Sequence, residues 1–245
     1  MNAYINIGNK DFQDVLNGTY VDKSMLMAFT NSVLNTNRRY MCVTRARRFG
    51  KSLAAKMLCA YYDESVDSRA LFADLKIAKD PSFEKFLNKY PVIYLDVTRF
   101  TSKVSLQIED IVLKIDKALK NEVRQMYSDL NFDADDDLQD MLRKVVGKTG
   151  KQFIMIVDEW DAICRESNND DVMRQYVNWL RGLFKAGAAD RVFAGVYMTG
   201  ILPIKQYNTQ SALNWRNQRE LTMGNAKAWQ KLMGRQKVRI CEEKD

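Results

Sequence analysis

The sequence predicts an α/β fold, a three-layer sandwich in which a mostly parallel sheet lies between helices. Three observations carry this. Four short runs, at 40–44, 92–97, 153–157 and 192–199, are apolar throughout rather than alternating, the pattern of strands covered on both faces. Segments with apolar residues three and four apart separate them. The first run passes through a short basic turn into a helical pattern at Gly50-Lys51-Ser52. Strands that alternate with helices in this way build a parallel sheet.

Taken in order, residues 1–36 include "TYVDKSMLMAFTNSVL", an entry segment and a helix expected to cap one end of the sheet. Residues 37–214 form the main domain. After the strand at 40–44, a helix runs from Leu53 to Tyr62 with Leu53, Met57 and Leu58 on one side. The strand at 92–97 leads to the longest helical region, 104–128, where Ile108, Ile111, Val112, Ile115, Leu119, Val123 and Met126 mark the buried stripe. The acidic run "DADDDLQD" at 133–140 lacks the central glycine and distal glutamate of a calcium loop. It reads as a helix N-cap, where acids meet the positive helix end. A further helix over 171–185 turns Val172, Tyr176, Trp179, Leu180 and Leu183 inward. Residues 215–245 are basic, with Trp215 and Trp229 and no clean period, and are expected to be irregular or peripheral.

Composition bounds the chemistry. The chain has 245 residues, 46% hydrophobic and 28% charged, enough for one large domain with a modest appendage. Its net charge of +7 suits polyanions such as nucleotides or nucleic acid. No run approaches the roughly 20 apolar residues of a membrane helix, and the N-terminus lacks the form of a signal peptide. Cys42, Cys59, Cys164 and Cys241 are scattered, which points to free thiols and a cytoplasmic setting. The chain has no histidine. That excludes Ser-His-Asp and Cys-His catalysis and histidine-based zinc sites. Chemistry here must run on carboxylates, Lys, Arg, hydroxyls and a bound metal.

Two Gly-Lys-Ser/Thr stretches are candidates for a phosphate-binding loop, which needs a strand before it and a helix after it. Gly147-Lys148-Thr149 has the reverse order, helix then strand, and its glycines read as a helix C-cap and turn. Gly50-Lys51-Ser52 has the right order. There Gly50 admits the phosphates, Lys51 reaches the β and γ phosphates and the Ser52 hydroxyl takes a Mg²⁺ position. The usual first glycine is replaced by Arg45. A basic strand-to-helix turn is the competing reading.

A hundred residues on, "FIMIVDE" ends a strand in Asp158 and Glu159. A P-loop ATPase needs one carboxylate there for the Mg²⁺ shell and often a second to activate water. Asp158 fits the first role and Glu159 the second. The last strand ends in Thr199-Gly200. In the additional-strand (ASCE/AAA-like) class of P-loop NTPases a polar residue at that place sits near the γ-phosphate, so Thr199 is a candidate holder of the attacking water.

With these residues in place, the chain resembles the AAA-ATPase-like family of predicted bacterial P-loop ATPases. The family's Arg-Pro-Arg-Arg-Phe-Gly-Lys-Ser loop is matched by Arg45, Ala46, Arg47, Arg48, Phe49, Gly50, Lys51 and Ser52, with Ala46 in place of proline. Tyr20, Val21, Asp22 and Lys23 are similar to its entry segment, "PVIYLDV" to its second strand, and Asp158, Glu159, Trp160 and Asp161 to its acidic element. "YMTGILPIKQYNTQSALN" resembles its polar-ended strand. The resemblance covers about Ile5 to Asn214. It implies ATP and Mg²⁺ as ligands, with Arg45, Arg47, Arg48, Phe49, Gly50, Lys51, Ser52 and Leu53 at the nucleotide, Ser52 and Asp158 at the metal, and Lys51, Glu159 and Thr199 in catalysis. Family members often continue into a PD-(D/E)XK nuclease-like domain. Residues 215–245 do not match it, so the expectation is a truncated or atypical end.

Mg²⁺-dependent ATP hydrolysis is the leading expectation. A nucleotide switch without turnover and a basic nucleic-acid-binding module are the rivals, and self-association is left open. Arg45, Arg47 and Arg48 suit either phosphate contacts or salt bridges within the turn. Arg174 and Arg181 read as a solvated helix face rather than as arginine fingers.

Overall fold

The computed structural model describes residues 3–101, 110–167, 169–184, 189–201 and 220–221. Their apolar runs form β1 (Tyr40–Thr44), β2 (Val92–Asp96), β3 (Phe153–Asp158) and β4 (Phe193–Gly200), in which every residue but Asp96 is buried. A two-residue strand, β5 (Glu220–Leu221), adds to β1 beside Cys42 and Val43. The sheet order is β2-β3-β4-β1-β5 and all of its ladders are parallel. The segment expected to be peripheral therefore contributes a strand. Two residues with one charge carry no alternating or apolar pattern; among the described residues it is the edge of β1 that they pair with.

The helices are α1 (Lys10–Leu16), α2 (Met25–Val33), α3 (Lys51–Tyr62), α4 (Arg69–Phe72), α5 (Phe83–Phe86), α6 (Thr98–Thr101), α7 (Ile111–Met126), α8 (Leu138–Thr149), α9 (Ala162–Glu166), α10 (Asp170–Leu183) and α11 (Ala189–Val192), with a 3-10 turn at Lys76–Lys79. Because side chains alternate along a strand, each strand feeds two cores. Cys42, Leu95, Met155, Val157 and Met198 pack with Ile115, Leu119, Leu142 and Leu180 of α7, α8 and α10. Val43, Tyr94, Ile156 and Tyr197 pack with Phe12, Leu26, Met57 and Leu58 of α1, α2 and α3. The helices thus cover both faces of the sheet.

Boundaries follow local chemistry. α3 starts at Lys51, and its turn of phase leaves Leu53 40% exposed while Met57 and Leu58 are buried. Leu53 therefore does not share the buried side with Met57 and Leu58, contrary to what the spacing predicts. The stripe of α7 is buried from Ile111 to Val123, with Met126 packed at its edge; Ile108 lies outside the described residues. In α10 Trp179 is only half-buried, and its indole N–H donates to Asp116. α8 is capped by Asp137, whose carboxylate accepts the Asp140 amide at 2.7 Å, so the acidic run does cap a helix. Gly147 lies within α8, and Gly150 closes it in the left-handed conformation (φ 70°) with its N–H on Val146.

The first residues do more than cap an end. Ile5 bridges Ile93 antiparallel along the outer edge of β2, and the Glu122 carboxylate accepts the amides of Tyr4 and Ile5, each at 2.9 Å. Two helices, α1 and α2, follow where one was expected.

The register brings the strand ends that carry the polar residues to one edge. Thr44 pairs with Gly200, Val43 with Thr199 and Asp96 with Asp158, and β4 lies between β1 and β3. The carboxyl edge of an open parallel sheet is where such folds bind ligands.

Candidate active site

The loop from β1 to α3 is held from both sides. Arg45 is buried and its N–H donates to the Gly200 carbonyl at 3.1 Å, while residues 46–49 are exposed. Arg48 and Gly50 both adopt left-handed backbone (φ 68° and 73°), which reverses the chain into the helix. Gly50 is tightly covered: a Cβ there would stand 2.6 Å from the Lys23 Nζ. Lys23 comes from the entry segment and donates to the Phe49 carbonyl at 3.0 Å. Burial lowers its pKa from the ordinary lysine value.

The first helical bond of α3 runs from the Ala54 amide to the Gly50 carbonyl. The amides of the first turn therefore have no acceptor within the helix, and with the helix dipole they favour an anion. Lys51 starts this turn. Its side chain is 4% exposed and its Nζ donates to the carbonyls of Arg45 and Ala46 at 3.1 and 3.2 Å.

The acidic strand end meets this loop. Glu159 Oε1 lies 3.4 Å from Lys51 Nζ, and Glu159 Oε2 accepts from Arg165 at 2.6 Å. Glu159 has φ 51°, a conformation that non-glycine residues seldom take and that clusters at functional sites. Its amide donates to the Thr199 hydroxyl at 3.1 Å, and that hydroxyl donates to Asp158. Asp158 is 2% exposed, and its second oxygen accepts from the Tyr94 hydroxyl at 3.4 Å. Burial, followed by the charge of Asp158, raises the Tyr94 pKa far above the phenol value, so this hydroxyl stays a donor. Asp161 accepts the Ile201 amide at 3.0 Å and faces the Arg165 Nε at 3.2 Å.

Two hollows flank Gly50. A cleft of about 470 Å³ is lined by Arg47, Arg48, Lys51, Ser52, Glu159 and Arg165, among others. A second, of about 260 Å³, lies against Tyr20, Val21, Lys23, Phe49, Leu53 and Met57. They share Arg48, Gly50 and Leu53. Val21, Phe49 and Leu53 are each about 40% exposed, and of the large exposed hydrophobic side chains among the described residues only Leu113 lies outside this second hollow.

The fold gathers Arg47, Arg48, Gly50, Lys51, Ser52, Leu53 and Glu159 around the first cleft. Phe49 lines the second hollow instead. Arg45 reaches the site through its carbonyl, and Asp158 and Thr199 are buried beside Glu159. Ser52 hydroxyl and Asp158 carboxylate oxygens are hard donors of the type Mg²⁺ takes, and one or two protein ligands suffice where phosphates and waters complete its shell. In donor chemistry the two side chains suit that ion; Ser52 lines the cleft, and Asp158 is 2% exposed behind it. Arg174 is exposed and pairs with Asp171, as on a solvated face, whereas Arg181 is half-buried and donates to the Asn178 side-chain oxygen. Trp215, Trp229 and Cys241 lie outside the described residues; Cys42, Cys59 and Cys164 are buried.

Sequence reasoning gave no site role to Arg165, Tyr94 or Lys23, although Lys23 and Tyr94 stand in the quoted motifs. For Arg165 a signal existed: it follows Asp161 by four on a helix, the spacing of an ion pair. Tyr94 carried none, since an aromatic residue within a strand reads as core.

Among the described residues no helix is long and apolar enough to cross a membrane. The family described as AAA-ATPase_like, predicted AAA-ATPase, matches residues 6–209. No curated protein matched the chain. The chain belongs to the AAA-ATPase-like family, and membership implies nucleotide binding.

Proposed function

For a chain of this predicted AAA-ATPase family, we propose Mg²⁺-dependent hydrolysis of ATP at the edge of the sheet, in an additional-strand P-loop fold. One observation carries the reading: the ammonium of Lys51, at the head of α3, lies 3.4 Å from the carboxylate of Glu159, just past β3. Phosphate loop and acidic strand end thus form a single site. The position of β4 between β1 and β3 supports the additional-strand class.

In this reading the phosphates occupy the larger cleft, on the amides of the α3 first turn, with Lys51, Arg47 and Arg48 countering their charge. The base lies in the second hollow against Val21, Phe49 and Leu53, where apolar surface is exposed beside the loop. Ser52 and Asp158 would hold Mg²⁺, which when bound neutralises phosphate charge. Water attacks the γ-phosphorus, its proton passes to Glu159, and the bond to the β–γ bridging oxygen breaks to leave ADP and phosphate. Thr199 acts by holding Asp158 and the Glu159 backbone in place.

Calorimetry with ATP and Mg²⁺, followed by phosphate release on the same samples, tests this. Lys51→Ala should lose nucleotide binding, and Glu159→Gln should bind and fail to turn over. Tight binding by Lys51→Ala would overturn the phosphate-loop assignment. Binding without release in the wild type would leave a switch in place of an enzyme.

A further inference from the structure

Arg165 belongs to no motif in the sequence, yet it lines the larger cleft at its acidic wall. Its side chain is 14% exposed, with one guanidinium nitrogen on Glu159 at 2.6 Å and Nε facing Asp161 at 3.2 Å. Glu159 is thus shared between two cations, Lys51 on Oε1 and Arg165 on Oε2. The two anchors of Arg165 differ. Asp161 is fully buried, tied to the Ile201 amide and beyond the reach of a ligand. Glu159 faces the cleft.

A triphosphate in this cleft presents a dense negative charge to the same two cations. Its terminal phosphate offers oxygens that a planar guanidinium binds in pairs. We propose that Arg165 is the residue through which this site distinguishes a nucleoside triphosphate from a diphosphate. It remains anchored on Asp161 and turns its terminal nitrogens from Glu159 to the γ-phosphate. The same movement releases Glu159 Oε2, which is then available to accept the proton of the attacking water. Binding of the terminal phosphate and freeing of the base are one exchange of ion-pair partners. This inference rests on the nucleotide reading above, and its test separates the two.

The experiment is calorimetry of ATP and ADP, each with Mg²⁺, on wild type, Arg165→Ala and Arg165→Lys, with a thermal melt of each variant. Wild type should bind ATP more tightly than ADP. Arg165→Ala should lose about tenfold or more in ATP affinity while its ADP affinity stays within about twofold, since a charge-assisted contact is of that size. Arg165→Lys keeps a charge opposite Asp161 but not the fork, and should lose most of the same preference while melting close to wild type. An ATP-to-ADP affinity ratio unchanged in a folded Arg165→Lys would overturn the proposal with nucleotide binding intact. Failure of the wild type to bind either nucleotide would overturn the site reading itself, and this inference with it.

Discussion

Thr199, at the end of β4, donates its hydroxyl hydrogen to Asp158, at the end of β3, and accepts the amide of Glu159 on the same oxygen. Both bonds are formed where water is excluded, since Thr199 and Asp158 are buried. One hydroxyl therefore fixes the direction of one carboxylate and the unusual backbone that aims the next.

Thr199→Val keeps the shape and removes the hydroxyl. It should cost about 1–3 kcal/mol, the penalty for leaving buried polar groups without a partner. Thr199→Ser keeps the donor and should cost less. Midpoints of urea unfolding compare the two, and equal losses would mean that packing of the methyl group outweighs the hydrogen bonds.

Gly200 is packed against the turn that follows β3: a Cβ there would stand 2.5 Å from the Trp160 Nε1 and 2.9 Å from an Asp161 oxygen. Gly200→Ala should destabilise by about 1–3 kcal/mol through overpacking. Gly147, in α8, has nothing within 4 Å of the corresponding position. Gly147→Ala should stabilise by about 0.5–1 kcal/mol, the helix preference of alanine over glycine. Opposite shifts in melting temperature are the expected readout.

Leu53 is 40% exposed, so Leu53→Ser should cost no more than about 1 kcal/mol of stability. If the base rests on this side chain, ATP affinity should fall about three- to tenfold through lost apolar contact. Pyrophosphate affinity should not change. A parallel loss for both ligands would place the base elsewhere.

Burial pushes the Cys164 thiol up to about 12, and the Cys59 thiol is raised as well by burial and then by Asp63. The thiolate is the reactive form, so both should resist iodoacetamide at pH 8 in the folded protein. Both should be alkylated within minutes in urea. Mass mapping of the two peptides checks this, and rapid native labelling of Cys59 would contradict the packing of α3 on the sheet.

The four long strands, the turn at Gly50 and the acids at 158 and 159 were legible because their signals are local. A strand buried on both faces is apolar throughout, and a loop that meets phosphate needs glycine and lysine at the head of a helix. The family resemblance read from the same residues agrees with the match over 6–209. What the chain order alone could not supply was neighbourhood. β2 lies between β1 and β3 in sequence, but β4 lies between them in the sheet, and that pairing carries Thr199 to Asp158. Tyr94 reads as core until β2 and β3 are in register, when its hydroxyl meets Asp158. Lys23 and Phe49 are 26 residues apart and touch only because the entry segment folds back over α3. Residue type and spacing thus determined the elements and the chemistry available. The tertiary structure decided which charges share a site, because an ion pair or a hydrogen bond depends on distances that sheet order and helix packing set.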